Sequence, residues 1–301
     1  MFDAKTLGAL GAAIGDALGR RLRPDGASRV AGGSINECYR WVGTEGAAIF
    51  LKVATAAEHT MLEAEAAGLD ELAAADAVRV PRVLGFGTAN ECAWLALEWL
   101  RIANSTPQSQ ATLGAQLARQ HRRTAPAFGW KRENTIGSTP QPNGWRQDWV
   151  GFLREQRLGY QLDLAARNGF GGGLQECGAL LLDRMDGLFA TYRPSASLLH
   201  GDLWGGNWAT DERNQPVIFD PAVYYGDREA DLAMTRLFGG FGPEFYAAYE
   251  AAWPLDPGAP VRVGLYNLYH VLNHLNLFGR GYLAQAMALL ERLLGELGRS
   301  R

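Results

Sequence analysis

Leu198-Leu199-His200-Gly201-Asp202-Leu203-Trp204-Gly205-Gly206-Asn207 leads into Trp208-Ala209-Thr210, a polar turn Asp211-Glu212-Arg213-Asn214-Gln215, and the run Pro216-Val217-Ile218-Phe219-Asp220. Two short apolar segments on either side of a polar turn predict a hairpin. Such a hairpin sets Asn207, at the start of its outgoing strand, beside Asp220, at the end of its return strand, while Asp202 projects from the loop that feeds it. Their oxygens suit magnesium, a hard cation that takes one or two protein ligands and completes its shell with water and phosphate. The Asp-x-x-x-x-Asn spacing is the one in which phosphoryl-transfer sites combine a base with a metal ligand. Asp202 is therefore the candidate base, and Asn207 and Asp220 are the candidate metal ligands. Taken singly, each is as well explained as a turn residue, because turns favour Asp and Asn; the joint spacing favours chemistry. His200, just ahead of the loop, suits a scaffold hydrogen bond better than catalysis.

The residues upstream supply what such a site still lacks. Ser28 to Ala31 and Ile35 to Val42 read as strands around Gly32-Gly33-Ser34, a tip whose backbone N–H groups would approach nucleotide phosphates. Ala48 to Val53 reads as a strand carrying one lysine, Lys52, in apolar company. The Ala- and Glu-rich run from about residue 56 to 75 predicts a helix, on which Glu65, or in competition with it Glu63, would hold Lys52 as an ion pair. Glu65 is preferred because it falls near the stripe formed by Leu69 and Leu72. Val83 to Gly87 and Cys92 to Trp99 predict two strands separated by Thr88 to Glu91, and Glu98 and Trp99 then link two lobes where an adenine would meet backbone groups. The Ser105-Thr106-Pro107 cap opens a mostly helical remainder. The expected architecture is α+β and bilobal, like a protein kinase: residues 1–100 form a small antiparallel-sheet, ATP-binding lobe with one main helix, and residues 101–301 a larger, mostly helical catalytic and substrate-binding lobe.

Composition narrows the partners. The 301 residues, 47% hydrophobic, suffice for one large core or two smaller ones. A formal charge of -3 and the absence of any long Lys/Arg run provide no field for a nucleic-acid backbone. Cys38, Cys92 and Cys177 are odd in number and widely spaced, which supports neither a disulfide framework nor a Cys-x-x-Cys metal site and fits a reducing, cytoplasmic setting. Asp3, Lys5 and Asp16 interrupt what would otherwise resemble a signal peptide, and Leu7, Leu10, Ile14 and Leu18 recur at helical spacing instead. No stretch approaches the roughly 18 to 20 apolar residues that span a bilayer. Neither nucleic acid nor a membrane is expected as a partner. His270 and His274 share a helical face but lack a third ligand, so they read as core, and His121 reads as a charge partner at a helix end.

The chain resembles the fructosamine kinase (ketosamine-3-kinase) family within the aminoglycoside-phosphotransferase branch. The resemblance rests on His200 to Asn207, Asp220-Pro221-Ala222, Tyr224 to Glu229, Leu237 to Phe241, Asn134-Thr135-Ile136-Gly137, Gln141, Asn143-Gly144-Trp145, Asp148-Trp149 and Leu268 to His274. It implies ATP and Mg2+ as cofactors, with Asp202 as base, Asn207 and Asp220 on magnesium, and Lys52 with Glu65 orienting ATP. It further implies phosphorylation of the 3-hydroxyl of a ketosamine, either a small molecule or a glycated protein lysine, whose product then releases the free amine. Asp220-Pro221-Ala222 stands where protein kinases have Asp-Phe-Gly, which implies a site without that phenylalanine switch. Trp204, close after the base, would stack on the sugar, and Asp231 would anchor the backbone of the catalytic loop. Two rival readings are a kinase of the same fold for an aminoglycoside or choline, and a catalytically dead nucleotide binder.

Overall fold

The computed structural model describes residues 4–30 and 36–299. The Gly32-Gly33-Ser34 tip lies outside the described residues. The chain divides into two compact units, one formed by residues 1–106 with 209–220, the other by 107–208 with 221–301.

In the first unit, helix α1 (Ala4–Leu18) is followed by strands β1 (Leu22–Arg29), β2 (Glu37–Gly43) and β3 (Ala48–Thr55), helix α2 (His59–Ala74), and strands β4 (Val83–Ala89) and β5 (Cys92–Glu98). The strands form one antiparallel sheet in the order β1-β2-β3-β5-β4. Side chains alternate across a strand, so β3 sends Ile49, Leu51 and Val53 to one face, where they meet Tyr39, Trp41, Trp94 and Ala96 and the apolar stripe Leu10 and Ile14 of α1. Lys52 points to the other face, from which α2 presents Glu65. The turn between β4 and β5 is tighter than the sequence suggests. The strand runs on to Ala89, and Asn90 and Glu91 alone make the connection, both at positive φ (51° and 61°), as a two-residue hairpin of this twist requires.

A further short strand, Ile102–Ala103, pairs with Trp208–Asp211, which pairs in turn with Pro216–Ile218. This is the hairpin expected around the polar turn, and it belongs with the first unit: Arg79 bridges Val217, its carbonyl accepts from the Ile218 N–H, and its guanidinium binds both Asp211 and Glu98. The contacts that hold this hairpin come from residues far away in sequence, so it groups with the first unit although it lies beyond residue 100.

The second unit is mainly helical, beginning with α3 (Pro107–His121). Its interior holds paired charges as well as apolar side chains. Arg262, on helix Ala259–Phe278, grips Glu229 through two bonds of 2.7 and 2.9 Å and adds Asp256 at 2.7 Å. Asp227 accepts from Tyr192 and Tyr266, and its burial, with Glu229 nearby, raises its carboxyl to about 7. His270 is buried with no hydrogen-bond partner at Nδ1 among the described residues, and burial, helped by His274, lowers its imidazole to about 3.

Two outcomes follow for stability. Ile14→Ala empties a fully buried site and should cost about 2–5 kcal/mol in urea unfolding; a loss below about 0.5 kcal/mol would mean that α1 does not pack there. His270 stays neutral in the folded chain while the unfolded chain takes up a proton below about pH 6.5, so its stabilising effect is complete above that pH and is lost progressively towards pH 3. Tm should therefore fall less steeply between pH 6.5 and 5 in His270→Leu than in the parent, and parallel slopes would clear the imidazole of any part in acid sensitivity.

Candidate active site

Lys52 is 4% exposed, which rules out the snorkelling surface lysine that its sequence position alone allows. Its ammonium lies 2.7 Å from Glu65 Oε1 and 2.7 Å from Asp220 Oδ1. Burial works to strip its proton, but Asp220 and Glu65 outweigh it and hold the ammonium well above the ordinary lysine range. The partner on α2 is thus Glu65, the preferred of the two glutamates. Asp220, last residue of the first unit, has φ +56°, a conformation that few residues other than glycine adopt. Held strain of this kind recurs at working sites, and here it falls two residues past the end of the strand Pro216–Ile218.

Glu98 and Trp99 both lie within the first compact unit. The Glu98 carboxylate takes Arg79 and the Arg82 N–H, and the Glu98 N–H donates to the Arg82 carbonyl at 2.9 Å. Trp99 stacks on Phe50, with the Arg40 guanidinium 5.4 Å from its ring centre. Both residues line a cavity of about 560 Å³ bordered by Arg40, Arg79, Arg101 and Asp211, of which Lys52 is not a lining residue.

In the second unit the loop from His200 to Asn207 is tied to itself. Leu203 is fully buried and anchors it, leaving its neighbours Asp202 and Trp204 more exposed. The Asn207 amide nitrogen donates to the Asp202 carbonyl at 2.9 Å and to Asp202 Oδ2 at 3.3 Å. With its nitrogen there, Asn207 has its amide oxygen as the atom that a hard cation would use. His200 Nδ1 accepts from the Asp202 N–H at 3.3 Å, which is scaffold work.

Asp231 underlies the loop. Its two oxygens accept from the N–H groups of His200 (2.7 Å) and Gly201 (2.9 Å). Burial works to raise this carboxyl, but His121 and the Gly201 N–H more than offset it and keep it below the usual range. Gly201 has φ +84°, and a Cβ there would sit 2.0 Å from the Ala222 carbonyl oxygen, so no other residue fits. His121 ends α3 as expected but is no surface helix-end charge: it is wholly buried between the Tyr249 hydroxyl (2.8 Å) and Asp231 (3.1 Å). Its place at the helix end beside Arg122 and Arg123 hid this, because the partners come from residues more than a hundred positions away.

A second support was legible only through the family resemblance. Asn134, Gln141 and Asn143 are buried and bonded to one another; Asn134 reaches the Val223 carbonyl, Gln141 the Ala222 carbonyl, and Tyr269 closes on Gln141. Arg157 stands in a π-helical turn, Arg154–Gly159, and binds Asn143 Oδ1 at 2.7 Å while lying over the Tyr224 ring. These residues hold the chain that follows Asp220, and Ala222 N–H donates in turn to the His200 carbonyl.

For a magnesium–nucleotide group, the test lies in the donor chemistry. The described residues contain no cluster of three or more His, Cys, Asp or Glu side chains able to enclose a metal. Asn207, in the second unit, and Asp220, in the first, each carry a hard oxygen of the kind taken by an ion that keeps waters and phosphates in its shell. The residues therefore fit the group.

The fold is that of the kinase-like phosphotransferases acting on a hydroxyl group. The fructosamine kinase model matches residues 8–296, and the chain belongs to that family. It is 44% identical over 282 residues to the Synechocystis sp. protein named "Probable ketoamine kinase", covering 93% of this chain and 94% of that one. It is 41% identical to the chloroplastic protein-ribulosamine 3-kinase of Arabidopsis thaliana, over 88% of this chain and 81% of that one. A crystal structure of a candidate fructosamine-3-kinase from Thermobifida fusca superposes with a TM-score of 0.85 at 30% identity, covering 95% of this chain and 99% of that one.

Asp231→Ala removes a charged acceptor from two buried N–H groups and from His121. It should destabilise the second unit by about 3 kcal/mol or more, seen as a lower urea midpoint; a loss under about 1 kcal/mol would show that the loop is held by other contacts.

Proposed function

We propose that this chain transfers the γ-phosphoryl group of ATP to the 3-hydroxyl of a ketosamine, a fructosamine- or ribulosamine-type adduct of an amine or of a protein lysine, and so begins its deglycation in the cytoplasm. The observation that carries the reading is Asp202, set in a loop clamped by Asp231 and bonded to Asn207 in the Asp-x-x-x-x-Asn spacing. Family membership supports the acceptor class.

Each residue then has a role. Asp202 accepts the proton of the sugar hydroxyl as its oxygen forms a bond to the γ-phosphorus and ADP leaves. Lys52, kept charged by its two carboxylates, is the cation for the α- and β-phosphates, and Glu65 fixes where that cation stands. Asn207 and Asp220 would hold Mg2+. Bound there, the ion would supply positive charge to the phosphates as negative charge builds. Gly32, Gly33 and Ser34 would cover the phosphates with backbone N–H groups, the link at Glu98 and Trp99 would meet the adenine, and Trp204 would stack against the sugar. In this reading residues 1–100 make the ATP-binding lobe and 101–301 the catalytic and substrate-binding one; the hairpin 209–220, which falls in the second range by sequence, belongs to the first compact unit.

The test is turnover with magnesium-ATP on a panel of fructoselysine, ribuloselysine, an aminoglycoside and choline, followed by mass spectrometry. A ketosamine alone should be phosphorylated, and Asp202→Asn should lower turnover by about 10²- to 10⁴-fold while ATP still binds. Transfer to the aminoglycoside or choline instead would discard the ketosamine substrate, and ATP binding without any transfer would mark a non-catalytic nucleotide binder.

A further inference from the structure

Seven large hydrophobic side chains stand exposed among the described residues, and three of them, Trp204, Phe238 and Phe278, fall in one run of ring contacts in the second unit. Trp204 meets Phe238 edge to face with centroids 6.3 Å apart, Phe238 meets His274 at 4.9 Å, and His274 meets Phe278 at 5.4 Å and Tyr282 at 5.1 Å. The five rings come from separate places: the catalytic loop, the turn after helix Glu229–Leu237, helix Ala259–Phe278, and the short Arg280–Tyr282 turn.

Their placement is fixed by backbone contacts. Gly205 and Gly240 touch so closely that a Cβ on Gly205 would lie 2.8 Å from the Gly239 carbonyl oxygen, and the Trp208 indole N–H donates to the Gly240 carbonyl at 3.3 Å. Phe238 is thereby held beside Trp204. His274 donates from Nδ1 to the His270 carbonyl at 2.8 Å, which fixes its tautomer, and burial lowers its pKa, so the wall carries no charge of its own. A single exposed apolar side chain is ordinary, but here three exposed rings, Trp204, Phe238 and Phe278, are joined by contact through His274. Contiguous exposed apolar surface of this kind marks a binding face.

Resting on the ketosamine reading above, we propose that this wall is the subsite for the amine portion of the substrate, and that it favours adducts of amines with aromatic or long alkyl substituents over adducts of small amines. The occupant is set by continuity. The wall begins at Trp204, two residues after Asp202 in the same loop, where the Trp204 backbone N–H donates to the Asp202 carbonyl at 3.2 Å, and it continues ring to ring through Phe238, His274 and Phe278. The part of a ketosamine that extends away from its sugar is the substituent on nitrogen. An uncharged wall of ring faces and edges suits an aromatic or alkyl substituent.

The experiment compares kcat/KM for two adducts of one sugar, ribulose joined to methylamine and ribulose joined to phenethylamine, with magnesium-ATP and the full chain. The parent should favour the phenethylamine adduct, Phe278→Ala should lower the ratio of the two by about tenfold, and Phe278→Trp should restore it. No preference in the parent, or a ratio untouched by Phe278→Ala, overturns the proposal. So does light scattering that shows a dimer lost in Phe278→Ala with the ratio unchanged, since the wall would then be a contact between two copies of this chain. Failure of the parent to phosphorylate either adduct while it transfers phosphate to another acceptor sinks the ketosamine reading itself, a result visible before any variant is made.

Discussion

Asp231 is a carboxylate at 1% exposure, and a buried charge is tolerable only where donors surround it. The donors it collects are two consecutive backbone N–H groups, His200 and Gly201, together with the imidazole of His121. This requirement shapes much of the second unit. It holds the chain ahead of Asp202, demands a glycine at 201 where the Ala222 carbonyl crosses, and draws α3 inward through its last residue. The loop that carries Asp202 and Asn207 is rigid because a charge beneath it would otherwise be stranded.

The first unit applies the same rule with the sign reversed. Lys52 is a buried cation, and its two carboxylates come from α2 and from the end of the hairpin strand. Breaking a buried pair by removing one partner costs about 3–5 kcal/mol, far more than an exposed pair contributes. An arrangement this demanding is hard to attribute to stability alone, since apolar side chains of similar volume would fill the space at no such risk. It is intelligible as a fixed positive charge kept ready for an anion.

What the sequence made legible was local or set by spacing. The amphipathic α1, the lysine strand, the glutamate helix and the Asp-x-x-x-x-Asn hairpin each declare themselves through a period of 3.6 or 2 or through a fixed interval. The chemistry written across long separations stayed hidden. Nothing near His121 announces Asp231 and Tyr249, nothing near Arg79 announces Asp211, and the hairpin 209–220 gives no local sign that it packs with the first unit. The turn Asn90-Glu91 escaped for a different reason: glutamate rarely accepts a left-handed conformation, so the two-residue hairpin lacked its usual Asn-Gly signature. The aromatic wall escaped because its rings sit on several elements that no single periodicity joins.

The segment after Asp220 completes the contrast with switchable kinases. Pro221 has a fixed φ and no N–H, and Ala222 is held on both sides, its N–H on the His200 carbonyl and its own carbonyl by Gln141. Val223 is held by Asn134 in the same way. Each such bond contributes about 0.5–1.5 kcal/mol net, and more is lost if a buried partner is left unmade. A rearrangement that swung this backbone away would have to break several of them together, with no phenylalanine to occupy a second pocket in return. The polar cluster of Asn134, Gln141 and Asn143 therefore acts as a lock on the residues that follow the candidate metal ligand, and its burial explains why amides rather than charged side chains make it: amides satisfy backbone donors and acceptors without adding another charge to an interior that already holds Asp227, Glu229, Asp231, Arg157 and Arg262.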